Sequence, residues 1–215
     1  MNVFIMCHKD VSGEFCVDDV ALHKIEDPTR KPVTFEDGTT AGLTLSGDPL
    51  PVARVVKGAT PEGKSHLFFA RGYAGLRLAQ PIESGDVEFS FLFKATQRVT
   101  FELGGVGRLY LLPTINLGKG NGLGPALGTL NGNSWCRIRG IVHMSEQAFD
   151  LTVTDFDDPL GSFERKGIKV ADPIKRIGGM AFFNIVPSCN ACLDDIYLGP
   201  MRRPAPRDGA RREAK

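Results

Sequence analysis

The stretch Asp86 to Lys94, "DVEFSFLFK", decides the fold. Val87, Phe89, Phe91 and Phe93 fall on one side of an extended chain, and Glu88, Ser90 and Lys94 on the other. A period of two belongs to a strand with one face toward a core. The same alternation recurs on either side. "RVTFEL" (98–103) sets Val99, Phe101 and Leu103 against Thr100 and Glu102. "WCRIRGIVH" (135–143) sets Ile138 and Val142 against Arg137, Arg139 and His143. "FDLTVTD" (149–155) sets Phe149, Leu151 and Val153 against Asp150, Thr152 and Thr154, and "AGLRLA" (74–79) exposes Arg77 between Leu76 and Leu78. Turn phrases such as "ESGD" (83–86), "LGGVG" (103–107), "NGNS" (131–134) and "DDPLG" (157–161) separate the runs. No long run carries apolar residues at helical spacing. Antiparallel strands with one buried face and no crossover helices predict an all-β chain folded as a two-sheet antiparallel jelly-roll sandwich.

Composition fits that reading. The 215 residues suit one large β domain, and 42% hydrophobic residues can fill a sizeable core. Fourteen Phe against three Tyr and one Trp fit a strand-rich interior. A net charge of +1 gives no general attraction to nucleic acid, and no such partner is expected. No apolar run is long enough for a transmembrane helix, so no membrane insertion is expected. The opening "MNVFIMCHKD" lacks the basic and apolar regions of a signal peptide. The glycine-rich stretch 116–133, "NLGKGNGLGPALGTLNGN", has no Lys followed by Ser or Thr, so it is not a phosphate loop. It reads as a rim loop. The basic, proline-punctuated segment 200–215 reads as a disordered tail or linker.

The two ends of the chain echo one another. "CVDDVAL" (16–22) and "CLDDIYL" (192–198) share a Cys-apolar-Asp-Asp-apolar-x-Leu phrase, each after a Met, an apolar strand and a polar turn. The echo predicts tandem duplication. Residues 1–31 would be the closing hairpin of a preceding related domain plus a linker, and residues 32–199 a complete domain. The alternative is a chance likeness of two edge strands. Of the five cysteines, Cys189 and Cys192 form a C-x-x-C, and Cys7, Cys16 and Cys136 stand apart. Without a second matched pair or a β-α-β setting, thiols or a disulfide are favoured over a zinc or redox site.

Several segments in order, "VTFEDGTTAG" (33–42), "GKSHLFFA" (63–70), "SGDVEFSFLFK" (84–94), "NSWCRIRGIV" (133–142), "FDLTVTDFD" (149–157), "IKRIGGMAFF" (174–183) and "CLDDIYLG" (192–199), resemble the concanavalin A-like lectin/glucanase superfamily. Galactose-binding-like carbohydrate-binding modules share the opening and closing phrases. The resemblance implies a structural calcium ion between the opening acidic residues and the closing aspartates. Here that set is Glu36, Asp37, Asp194 and Asp195. Strand phase also points Asp194 toward the apolar side, where a carboxylate needs a cation or several donors.

The glucanase branch carries Glu-x-Asp-x-x-Glu on one strand. In the strand from Glu88, Ser90 and Phe93 replace the second and third carboxylates, so a non-catalytic role is expected, with Glu88 and Glu102 only weak catalytic candidates. His66, Arg71 and Tyr73 are the candidates for lyase chemistry. A binding face is the main expectation: Tyr73, Arg77, Trp135, Arg137 and Arg139 as ligand-binding residues, with the two in-line arginines suiting an anionic glycan. The resemblance implies a carbohydrate-binding or adhesive module, part of a larger secreted or surface protein. A divergent hydrolase or lyase and a ligand-free structural spacer are the alternatives.

Overall fold

The computed structural model describes residues 31–40, 42–46, 53–111, 114–119, 122–184, 186 and 189–201. The expected leading hairpin, apart from residue 31, lies outside the described residues. So do Cys7, Cys16 and the basic tail from 202 onward.

The described residues form β1 (Leu43–Ser46), β2 (Ala53–Lys57), β3 (Ser65–Phe69), β4 (Gly72–Ile82), β5 (Asp86–Ala95), β6 (Val99–Leu103) and β7 (Gly107–Leu111). β8 (Thr114–Lys119), β9 (Gly122–Thr129), β10 (Cys136–His143), β11 (Ala148–Asp155), β12 (Phe163–Lys169), β13 (Ile177–Asn184) and β14 (Ala191–Pro200) follow. The helical content among them is a single 3-10 turn, Pro159–Gly161. Two seven-stranded sheets result, ordered β1-β4-β13-β6-β7-β8-β9 and β12-β11-β10-β5-β14-β3-β2. Every paired strand is antiparallel. The chain crosses repeatedly from one sheet to the other, as a jelly roll requires.

Strand alternation builds the core. Val87, Phe89, Phe91 and Phe93 of β5 are buried between the sheets, as are Val99, Phe101 and Leu103 of β6. Phe89 and Phe91 from the second sheet meet Phe101 and Phe182 from the first, with ring centroids 4.8–5.2 Å apart, and Phe101 lies 5.4 Å from Phe182 within the first sheet. Such tilted and edge-on pairs add to the gain from area burial. Gly140 is required here. It lies opposite Phe89 in the β5–β10 register, and an added Cβ would come within 2.2 Å of the Phe89 ring.

Three expectations are corrected. The glycine-rich stretch is a hairpin, not a rim loop: β8 and β9 pair, with register shifts. β9 is an edge strand, which is where Pro125 can be tolerated. Glu88 and Ser90 point away from the core as read, yet Glu88 is 1% exposed. Finally, the phase of β14 shifts inside the "LDD" phrase. The register breaks between Asp194 and Tyr197, and Asp195 takes φ +45°. A bulge of this kind inserts a residue and inverts the alternation. Leu193, rather than Asp194, therefore shares the core-facing phase with Ala191, Ile196 and Leu198.

Cys136, Cys189 and Cys192 are free thiols, so the C-x-x-C is not a disulfide. Cys189 instead donates to the Gln97 carbonyl at 3.4 Å.

Candidate functional site

The structure divides the expected binding residues between two faces. On the outer face of the second sheet, Arg137 and Arg139 of β10 stand beside β5 and close to β14. Arg139 donates from Nε to Glu88 Oε1 at 2.9 Å. Arg137 donates through Nη1 to Asp195 Oδ2 at 2.6 Å and to Ser90 Oγ at 3.1 Å, and pairs through Nη2 with Glu62. The bulge in β14 is what aims Asp195 at Arg137. Trp135, half-buried, meets His66 of β3 edge-on at 5.5 Å. Burial pushes the His66 imidazole below its usual range. His143 lies between Asp86 and Asp150, at 3.2 and 3.5 Å. Burial alone would lower its pKa, but the hydrogen bonds and charges of the two carboxylates outweigh that and raise it. The two arginines are already matched by carboxylates, which removes the reason to expect an anion on them.

The expected calcium set is half assembled. An isolated antiparallel bridge, Val33 to Ile196, brings the opening segment beside β14. Glu36 and Asp194 then approach Gly63 together: a Cβ there would meet Glu36 Oε1 at 2.5 Å and Asp194 Oδ2 at 3.2 Å. Both carboxylates have protein donors. Glu36 accepts the N–H groups of Lys64 and Ser65, while Asp194 accepts the Thr60 hydroxyl and the Asp195 N–H. Burial is the main cause that raises the Asp194 pKa, and the nearby Asp195 and Glu36 charges add to it. Asp37 turns to its own loop and caps Thr39, whose backbone N–H chiefly holds it below the usual range. Asp195 belongs to Arg137. Two carboxylates fall short of the six to eight oxygens calcium takes, so backbone carbonyls and water would have to supply the rest. Among the described residues, no group of three or more His, Cys, Asp or Glu is arranged to hold a metal.

Glu88 and Glu102 do not face each other. They lie on different sheets, and each is paired with an arginine: Arg139 for Glu88, and Arg108 at 2.7 Å for Glu102. The His66 and Tyr73 of the lyase reading also sit on different sheets.

Tyr73 and Arg77 lie on the outer face of the first sheet, where the register makes a row no local pattern announces. Ser46 of β1 pairs with Tyr73 of β4 and Tyr73 with Phe183 of β13. Phe183 pairs with Thr100 of β6, Thr100 with Tyr110 of β7, and Tyr110 with Asn116 of β8. Each lies on the side of its strand away from the core. At the usual strand spacing, Tyr73 to Asn116 spans about 19 Å across the strands. Small residues keep the row low. The Tyr73 ring lies over Gly75, where a Cβ would touch its hydroxyl at 2.1 Å, and its edge meets Phe183 at 5.2 Å. Tyr110 leans toward Gly118 and carries the Arg98 guanidinium 5.6 Å above its ring.

Three cavities border this face. One of about 240 Å³ is lined by Tyr73, Arg77, Glu102 and Gly179. A second, about 420 Å³, adjoins Glu102, Arg108 and Gly118. The third, about 490 Å³, holds Arg98 and Asn116 at the end of the row. Outward aromatic rings flanked by hydroxyl, amide and guanidinium groups can take an elongated ligand by stacking and hydrogen bonding. Phe183, Thr100, Tyr110 and Asn116 were missed in the sequence. "RLYL" (108–111) and "MAFF" (180–183) do show one outward aromatic each by alternation, but nothing local says that they align.

No protein-family model matches the chain, and no curated protein matches its sequence. Solved structures do resemble it. A sialidase aligns over 82% of this chain at 11% identity and a TM-score of 0.55, and the chain spans 19% of the sialidase's own length. Arcelin-5, a lectin-like defense protein from Phaseolus vulgaris, aligns over 76% of this chain and 95% of its own at 8% identity, TM-score 0.48. A GH131 β-glucanase catalytic domain from Podospora anserina aligns over 81% and 85% at 11% identity, TM-score 0.46. At these identities the likeness is one of fold. The fold is a two-sheet antiparallel jelly-roll sandwich.

Proposed function

We propose that the chain is a non-catalytic carbohydrate-binding module that holds a glycan along the outer face of the first sheet. One observation carries this reading: the cross-strand row Tyr73–Phe183–Thr100–Tyr110–Asn116. Aromatic rings offer their faces to the apolar faces of sugar rings, and the hydroxyl and amide groups between them offer hydrogen bonds. A row perpendicular to the strands, one residue per strand, suits an extended sugar chain laid across the sheet. The separation and arginine pairing of Glu88 and Glu102 support binding without hydrolysis, because glycoside cleavage needs two carboxylates facing one bond.

Further parts of the reading are proposals on the same footing. The domain runs over residues 32–199 within a larger secreted or surface protein, a view supported by the small share of the sialidase chain that the match occupies. Residues 1–31 are the end of a related preceding unit, supported by the echo of "CVDDVAL" in "CLDDIYL". Calcium bridges Glu36 and Asp194, supported by two carboxylates converging on Gly63, one of them buried. Calcium then raises the melting temperature of the wild type and leaves that of D194N where it was. Equal shifts in both proteins remove the site.

The test of function is a glycan array with the full chain, followed by titration of the strongest oligosaccharide into Y73A, F183A and W135A. Loss of affinity in Y73A and F183A but not in W135A supports the first-sheet row. Loss confined to W135A moves the site to the second sheet. Silence of the wild type across a broad array sinks glycan binding and leaves a structural spacer. Release of reducing or unsaturated sugar from any array ligand overturns the non-catalytic reading.

A further inference from the structure

We infer that the cavity at the β8 end of the row is an anion subsite that takes the carboxylate or sulfate ester of an acidic sugar. The inference rests on the glycan-binding reading and deepens it. The cavity, about 490 Å³, is lined by Arg98, Thr96, Thr114, Asn116, Leu123 and Val186, among others. Among the described residues, none that lines it is acidic.

The charge on Arg98 is what distinguishes the place. Arg108, Arg137 and Arg139 each have a carboxylate partner within 2.9 Å. Arg98 has no carboxylate partner among the described residues, and its contact is with the face of the Tyr110 ring. That contact holds the guanidinium over the row while leaving its N–H fork available. A guanidinium fork matches a carboxylate with two parallel hydrogen bonds and also accepts sulfate. The remaining lining is what a sugar ring wants beside its charge. Thr114 donates its hydroxyl to Asn116 Oδ1, and Asn116 donates its amide to the Gly124 carbonyl, so both are held in place. Leu123, 55% exposed, offers an apolar wall. Asn116 belongs to both row and cavity, so one ligand can occupy them together: sugar rings over Tyr73 and Phe183, with the acidic group at Arg98 where it covers Tyr110. This moves the acidic-glycan expectation from Arg137 and Arg139, which are neutralised, to an arginine that is not.

The test uses the full chain and three probes read by NMR titration: D-glucose, D-glucuronic acid and D-glucose 6-sulfate. The wild type should bind at least one acidic sugar roughly ten- to a hundredfold more tightly than glucose. R98Q should bring that ratio close to one, and R98K should keep part of it. A preference for glucuronate over the sulfate identifies a carboxylate ligand, and the reverse identifies a sulfated one. A wild type that does not distinguish acidic from neutral sugar overturns the inference, as does a preference that survives in R98Q. A neutral oligosaccharide titrated into wild type and Y73A reports on the row separately. Row binding without acid preference removes only the subsite. Acid preference through Arg98 without row binding leaves the subsite and removes the extended platform.

Discussion

Replacing Gly75 with alanine should lift the Tyr73 ring off the first sheet while barely changing stability. The new Cβ would lie 2.1 Å from the Tyr73 hydroxyl oxygen and 2.4 and 2.7 Å from two ring carbons. Ordinary carbon contact begins near 3.5 Å, so the ring must retreat by about 1 Å. What gives way is the end of a half-buried side chain, not backbone. The cost is the edge contact with Phe183, about 0.5–1.5 kcal/mol. Against it stands the gain from removing a glycine inside a strand, about 0.5–1 kcal/mol. The net change is within about 1 kcal/mol, or about 4 °C in Tm for a chain of this size. Binding has no such offset. Tilting one stacked ring out of the row should weaken the selected oligosaccharide by about two- to tenfold in Kd. Differential scanning calorimetry and isothermal titration on the same preparation check both halves. Unchanged Tm with unchanged Kd refutes the Tyr73 platform. A fall in Tm of more than about 10 °C would mean that the ring is packing material rather than a free surface.

Other perturbations probe the frame. Gly140→Ala pushes a Cβ into the Phe89 ring, which is itself pressed against Phe101, and should cost about 1–3 kcal/mol, whereas Gly132→Ala meets nothing within 4 Å and should cost far less. Equal losses by urea denaturation would refute that packing argument. His143 has a raised pKa in the fold, so its contribution is complete below the unfolded value near 6.5 and is lost as pH rises through the folded value. Wild type should therefore lose more stability than His143→Gln between roughly pH 6 and 8, and parallel curves would show that Asp86 and Asp150 do nothing for it. Burial pushes the Cys136 thiol up to about 12 and that of Cys192 to about 11. A thiol reagent at neutral pH should leave both untouched in the folded chain and modify them on denaturation, and rapid labelling of the native C7S/C16S variant would contradict this.

Period-two alternation alone settled the sandwich, because one buried face per strand is a local demand that each side chain meets independently. Val87, Phe89, Phe91 and Phe93 were legible for that reason, as were Leu76 and Leu78 on either side of Arg77. Where the local pattern breaks, the reading broke with it. The bulge at Asp194–Asp195 inverts the phase of β14, and glycines disguise β8 and β9 as loop. Depth was also hidden. Glu88 sits on the outward phase, but Arg139 from the neighbouring strand helps to cover it and neutralises it.

The candidate site was legible residue by residue but not as a site. Tyr73 was visible as an aromatic just ahead of "AGLRLA", and Trp135 and the two arginines were visible within "WCRIR" (135–139). Which of them share a face depends on which sheet each strand joins, and strand order is a long-range outcome of the whole core. Tyr73, Phe183 and Tyr110 are distant in sequence and adjacent only through the β4-β13-β6-β7 order and its register. A single strand carries the information for in or out. Alignment across strands is decided by how the hydrogen-bonded ladders of one sheet fit over the phenylalanines of the other, and that fit exists only once the chain has folded.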